Sequence, residues 1–478
     1  MERNTQYKHA AESVESLRNR RRYKNNEIRK EKRERVVRSK RFRHSVCEDE
    51  SETEFTKEQI ENAAKAIQKK GKEALESFQL LRRAFAAGST YIDMFLSVDN
   101  ALQTLVGQLT GKDTDLQLAA AWCLTNISAG THEHAMVVVK LAAPYLTTYL
   151  DSGSNILKDQ CAYAIGNLAG DSQECREILH SQGCVPLLVK LLESSALEVA
   201  QYAAFALSNI SRESTDITRD MVKCGVVPII LKKIKEVPLD KPELLAETAW
   251  LLTYLTASGD YTEELIAGGV LSRVVEILTK FADHPPEDPQ VMTPLLRTLG
   301  NISSGPDEYS MQACENPFLL HALENFLMSS HRHIIKETLW VLSNMTGEIS
   351  VCSSVAFGPL LPIIIKHLDD AYDIKTEAAY LLCNMGCHGT EVCTKLVAEK
   401  AIQHIIPMLK SQDIEMIHLA LSFCEMALRL TESAKFNFES SDGVGRLEGL
   451  EYHSNEMIRK EAHQLLDTYF LIDEEKGL

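Results

Sequence analysis

Residues Gln117–Gly130 read QLAAAWCLTNISAG, and the placing of Trp122 four residues before Asn126 recurs along the chain. The same offset joins Tyr163 to Asn167, Phe205 to Asn209, Trp340 to Asn344 and Tyr380 to Asn384. Two copies vary: Trp250 is followed by Tyr254, and Asn301 is preceded by Arg297. Successive Asn-equivalent positions are 41, 42, 45, 47, 43 and 40 residues apart. A period in the low forties marks a helical solenoid, in which each repeat buries its apolar face against its neighbours.

Within one repeat, Ala120, Cys123, Leu124 and Ile127 stand at i, i+3, i+4 and i+7, an apolar helical stripe. Cys161, Ala164, Ile165 and Leu168 repeat it, as do Ala378, Leu381, Leu382 and Met385. The aromatic and the Asn fall opposite that stripe, so they are expected on an exposed face that is aromatic instead of charged. One reading is that the rings seal neighbouring repeats together. Seven registered copies favour another, a continuous groove. Asn carries donors and an acceptor and can hold an extended peptide backbone. Rings between the Asn residues make slots for cationic stems, each worth ~0.5–2 kcal/mol. Three residues before the aromatic stand Gln160, Glu247, Glu337 and Glu377. The groove is expected to take Lys/Arg-rich extended segments.

Turns marked by Gly183, Gly225, Gly268 and Gly358 with Pro359 each open an apolar helix that precedes a ladder helix. Pro238, Pro242 and the run from His284 to Pro289 are read as extensions of inter-helix loops. The helix Ala74–Phe85 is expected to be a degenerate opening repeat. Met416–Leu430 is expected to be a ladder helix without Asn, and Ile458–Phe470 a capping helix. The expected fold is therefore all-α, a right-handed superhelical armadillo-repeat solenoid with a basic N-terminal arm.

The chain has 478 residues and a net charge of −16, unevenly spread. Residues 1–46 hold 16 Lys/Arg against 6 Asp/Glu, and the remaining 432 carry a net −26. The arm Arg18–Arg43, RNRRRYKNNEIRKEKRERVVRSKRFR, is dense in helix formers and ends in a basic cluster. Arms of this kind bind nucleic acid, act as targeting peptides or bind acidic protein surfaces. The acidic body opposes nucleic acid, which is not expected as a partner. Domains are placed at 1–46 (arm), 47–57 (acidic linker), 58–431 (repeats) and 432–478 (C-terminal repeat and cap).

Twelve Cys without a C-x-x-C pair suggest a reduced, cytosolic or nuclear setting. Cys383, Cys387, His388 and Cys393 fit no standard zinc spacing, so neither metal nor cofactor is expected. No apolar run reaches 18 residues, the longest being Phe357–Ile365, so no membrane span is expected. His132/His134 and His331/His333 stand without a placed nucleophile, and the chain is not read as an enzyme.

The sequence resembles the importin alpha family over nearly its whole length. The resemblance rests on AWCLTNISAG, on AIGNLAGD with Asp171, on the Asn-to-Tyr change in AWLLTYLT, and on TPLLRTLGN. It extends to DGVGRLEGLEYHSNEMIRKEAHQLLDTYF at residues 442–470. Within the arm it rests on Arg20, Arg21 and Arg22, on Glu27 to Arg29 and Lys30, and on Lys40 and Arg41, with Arg43 beside them. The resemblance implies a nuclear import adaptor that shuttles between cytoplasm and nucleus. Its partners would be basic localisation signals on cargo, importin beta at the arm, and an export receptor at the C-terminal repeats. It assigns peptide binding to Trp122, Asn126, Gln160, Tyr163, Asn167, Asp171, Phe205, Asn209, Glu247, Trp250, Arg297, Asn301, Glu337, Trp340, Asn344, Glu377, Tyr380 and Asn384. The alternative is an armadillo scaffold of adhesion or cytoskeletal type. In the family's amino-terminal ladder the rings are usually all Trp; here Tyr163 and Phe205 follow Trp122, and the positions before the first and third rings are Ala119 and Tyr202. Those departures imply a divergent branch.

Overall fold

The computed structural model describes residues 54–69, 72–212 and 214–470. The basic arm and most of the acidic linker lie outside the described residues. Among the described residues every regular element is a helix, and they fall into two compact units, 54–270 and 271–470. The chain is an all-α armadillo-repeat solenoid.

Each full repeat has three helices. In the first unit Gln173–Ser181, Cys184–Leu191 and Leu197–Ile210 make one, and Thr215–Lys223, Val226–Glu236 and Pro242–Ala257 make the next. In the second unit Asp307–Cys314, Leu319–Leu327 and Arg332–Met345 do the same. In the first two of these repeats the turn into the middle helix is left-handed: Gly183 has φ 76° and Gly225 φ 84°, a conformation glycine adopts without a Cβ clash. Asn100, Lys400 and Asp442 take the same turn with φ of 59°, 69° and 63°. The turns before Leu319–Leu327 and Leu360–Lys366 are not left-handed, with φ of −91° at Phe318 and −72° at Pro359, and one repeat has no turn, its first two helices being fused into His132–Tyr149 with Pro144 inside.

The apolar stripe forms the core. Ala120, Cys123, Leu124 and Ile127 are fully buried, as are the corresponding residues of the Asn155–Asp171 and Tyr372–Gly386 helices. Full burial of each Leu or Ile contributes about 1.5–3 kcal/mol. The terminal elements start earlier than their apolar period indicates. They run Lys72–Ala87, Ile414–Leu430 and Glu456–Tyr469. Asp413 and Asn455 accept the first free N–H groups of the last two, so a polar cap, invisible to hydrophobic periodicity, adds the first turn. Pro242 does not extend a loop. It is the first residue of Pro242–Ala257, where its missing N–H has no intrahelical partner to lose. Phe357 and Gly358 likewise form a turn before the helix Leu360–Lys366.

Among the described residues no single helix is long and apolar enough to cross a membrane. One pair bent by 78°, Ile349–Ala356 with Leu360–Asp369, passes the same test by length and composition. Its apolar residues Val351, Cys352, Val355, Leu361 and Ile364 are buried in the repeat.

Candidate functional site

The eighteen ladder residues all sit on third helices of repeats, four of these helices in each unit counting the Asn-free Ile414–Leu430. They are not exposed as their helical phase suggests. Asn126, Asn167, Asn209 and Asn384 are fully buried, and Tyr163, Phe205, Trp250, Trp340 and Tyr380 are 5 % exposed or less. Gln160, Glu247, Arg297, Asn301, Glu337, Asn344 and Glu377 are buried as well, whereas Trp122 and Asp171 are half-buried. The reason is the stacking of ladder helices side by side. The face opposite the stripe is the face on which the neighbouring repeat lies.

The asparagines show this directly. Asn126 Nδ2 donates to Arg82 O at 3.1 Å, Asn167 to Thr125 O at 3.1 Å and Asn209 to Gly166 O at 2.9 Å. In the second unit Asn344 donates to Gly300 O at 2.9 Å and Asn384 to Ser343 O at 2.8 Å. For Asn167, Asn209, Asn344 and Asn384 the acceptor is the residue one before the ladder position of the preceding repeat. Thr125 and Ser343 lie in the last turns of their helices, Thr114–Ser128 and Arg332–Met345, where carbonyls lack an intrahelical donor. Each asparagine bond therefore joins two repeats. It uses one N–H of an amide that carries two and an oxygen.

The rings close over the same residue. A Cβ at Gly166 would lie 2.3 Å from the Phe205 ring, and one at Gly300 would lie 1.9 Å from the Trp340 ring. Only glycine lets those rings sit down on the preceding helix. Periodicity alone did not flag these glycines, though the Gly-Asn pairs at 166–167 and 300–301 are a signal that could have found them. Arg82, also missed, places its guanidinium 4.2 Å over the Trp122 ring, a cation–π contact between the opening repeat and the next.

The remaining ladder residues differ between units. In residues 54–270, Tyr202 stacks on Tyr163 with centroids 4.5 Å apart and planes at 24°. Phe205 meets Tyr163 edge-on at 5.7 Å, and Trp250 lies 6.4 Å from Tyr254. Gln160 receives Thr125 Oγ1 on its backbone oxygen at 3.2 Å. Asp171 takes His132 Nδ1 at 2.6 Å, and that bond raises the His132 pKa above its usual value. In residues 271–470, Arg297 stands where a ring would be and pairs with Glu337 at 2.9 Å, the two side chains 1 % and 6 % exposed. Tyr380 gives its hydroxyl proton to Glu415. Glu337 is therefore committed inside the fold to a degree the sequence did not reveal.

Burial pushes the thiols of Cys184, Cys352 and Cys424 up to about 12, far from the thiolate that nucleophilic chemistry needs. Cys383 and His388, members of the Cys/His cluster, are engaged by the carbonyls of Leu419 and Thr346 at 3.6 and 2.7 Å.

The chain's likenesses agree with this architecture. A family model described as TMCO6 matches residues 60–470. Importin subunit alpha-9 of Arabidopsis thaliana is 30 % identical over 93 % of this chain and 92 % of its own length. Importin subunit alpha-2 of Oryza sativa subsp. japonica is 30 % identical over 88 % of this chain and 83 % of its own. Among solved structures an engineered protein superposes with a TM-score of 0.72 at 24 % identity, covering 86 % of this chain and 98 % of its own, a likeness of fold. By the extent of these matches, the chain belongs to the TMCO6 family and is a divergent member of the importin alpha family.

Proposed function

We propose that this protein is a nuclear import adaptor that holds Lys/Arg-rich localisation signals along its Asn and aromatic ladder. The observation that carries the reading is the registered asparagine, present on successive third helices and positioned by the same bond in both units. Such a row offers a peptide backbone one amide per repeat. The arm of residues 1–46 couples the adaptor to importin beta, binding an acidic surface with an affinity that falls as salt rises. Lys40, Arg41 and Arg43 are tethered to a body of net −26, and tethering of this kind gives an effective concentration on the order of millimolar. The arm therefore competes with cargo in cis until importin beta withdraws it, and the protein moves between cytoplasm and nucleus.

The test is binding of a fluorescent Lys/Arg-rich peptide to the full chain, with and without importin beta. Importin beta should raise the apparent affinity, and changing Lys40 and Arg41 to Ala should raise it without importin beta. Absence of peptide binding under every one of these conditions would overturn the reading. An armadillo scaffold is the second reading, favoured by one observation: every asparagine bond described above is internal to the solenoid. A scaffold would lose stability but no peptide affinity when those asparagines are changed.

A further inference from the structure

Two side chains on one face of the helix Leu197–Ile210 meet one ring of the preceding repeat. Tyr202 lies face to face on Tyr163 at 4.5 Å, and Phe205 meets the edge of Tyr163 at 5.7 Å. A methylene chain sandwiched between two ring faces needs about 7–8 Å between them, twice a carbon–carbon contact of about 3.5–4.0 Å. Neither spacing admits one. Phe205 cannot retreat, because its ring already fills the space that Gly166 leaves by having no Cβ. Tyr202 is half-buried, and its hydroxyl replaces the carboxylate or carboxamide found three residues before the ring in four other repeats, at Gln160, Glu247, Glu337 and Glu377. Charge and space are thus withdrawn at one place together. One repeat earlier the Trp122 ring does carry a cation, the Arg82 guanidinium at 4.2 Å.

We propose that Tyr202 is a specificity-determining residue that shuts the slot between Tyr163 and Phe205 against lysine and arginine stems. The inference rests on the peptide-binding reading given above and sharpens it. A ligand lying along this ladder carries a small or uncharged residue opposite Tyr202, with its basic residues to either side. The signals this protein prefers are therefore interrupted basic segments, not unbroken lysine runs.

The experiment measures affinity of the full chain, in the presence of importin beta, for two peptides: an unbroken lysine run and the same run with one central lysine changed to alanine. The wild type should bind both equally or prefer the interrupted peptide. Tyr202→Ala should bind the unbroken run about two- to thirtyfold tighter than the wild type does, the range for opening one cation–π slot. Tyr202→Gln, which removes the ring and restores the carboxamide found at Gln160, should shift the preference the same way if the alanine variant is unstable. A wild type that already prefers the unbroken run, or variants whose preference does not move, overturns the role of Tyr202 while leaving peptide binding intact. Failure of the wild type and both variants to bind either peptide overturns the peptide-binding reading itself, and this inference with it.

Discussion

Phe205 in one unit and Trp340 in the other sit on the same seat, a glycine one residue before the preceding ladder position. What stands beside them differs. Around Phe205 the neighbours are tyrosines in ring-to-ring contact; three residues before Trp340 is Glu337, held by Arg297. The asparagine bond is thus the common joint of the repeats, and the glycine seat occurs once in each unit. The positions between the joints are where this chain has been tuned, toward uncharged aromatic packing in residues 54–270 and toward a buried ion pair in residues 271–470.

The largest effect should separate the units. Arg297→Met leaves the Glu337 carboxylate without its guanidinium in a buried site, which costs about 3–5 kcal/mol, whereas Arg297→Met with Glu337→Leu should recover most of that loss. Denaturant unfolding measures both, and a double variant no better than the single would contradict the pairing. Next come the seats. Gly300→Ala drives a methyl into Trp340 and Gly166→Ala drives one into Phe205, each costing about 1–3 kcal/mol of overpacking. The shorter distance predicts the larger loss for Gly300. Equal midpoints for wild type and both variants would show that the rings are not seated there.

The asparagines should rank by what they leave behind. Asn167→Ala and Asn384→Ala strip the donor from last-turn carbonyls of Thr125 and Ser343 and should cost about 1–3 kcal/mol. Asn344→Ala should cost less, about 0.5–1.5 kcal/mol, because Gly300 O also accepts from Ser304 N–H at 3.0 Å. A reversed order in thermal unfolding would break the argument from helix ends. The smallest effect is pH dependence. Hydrogen bonds to Asp171 and Glu451 raise the pKa of His132 and of His463, one in each unit. Because the folded values lie above the unfolded one, the stabilisation is fully present below about 6.5 and fades as pH rises through the raised values. Both rings face solvent, so the expected signature is the NMR titration midpoint, returned to normal for His132 by Asp171→Asn.

The repeat order, the pairing of an apolar helix with a ladder helix and the core stripe were legible in the sequence, because a period of 3.6 inside a period near 42 leaves few alternatives; the short first helix of each repeat, such as Gln173–Ser181, was not. Ala120, Cys123, Leu124 and Ile127 needed no coordinates. The fate of the opposite face did need them. Helical phase says where a side chain points within its own helix, not whether a neighbouring helix lies there. Asn126 was therefore correctly placed away from the stripe and wrongly expected to be exposed. Arg297 with Glu337, 40 residues apart, and Tyr202 on Tyr163 are contacts between repeats that depend on the stacking register. Only the glycines before Asn167 and Asn301 gave that register away in the sequence.

The proposed dual use of the asparagine row is tested most directly at Asn209, whose acceptor Gly166 lies inside the helix Asn155–Asp171 and not in its last turn. The measurement is the affinity of the full chain and its Asn209→Ala variant for one Lys/Arg-rich peptide, with importin beta present and at a temperature where both are folded. If the row holds a peptide backbone as well as its neighbour, the variant should bind at least about fivefold more weakly, the loss for one bond to a buried peptide group. Unchanged peptide affinity together with a lowered unfolding midpoint would contradict it, and would leave the asparagines as joints of the solenoid alone.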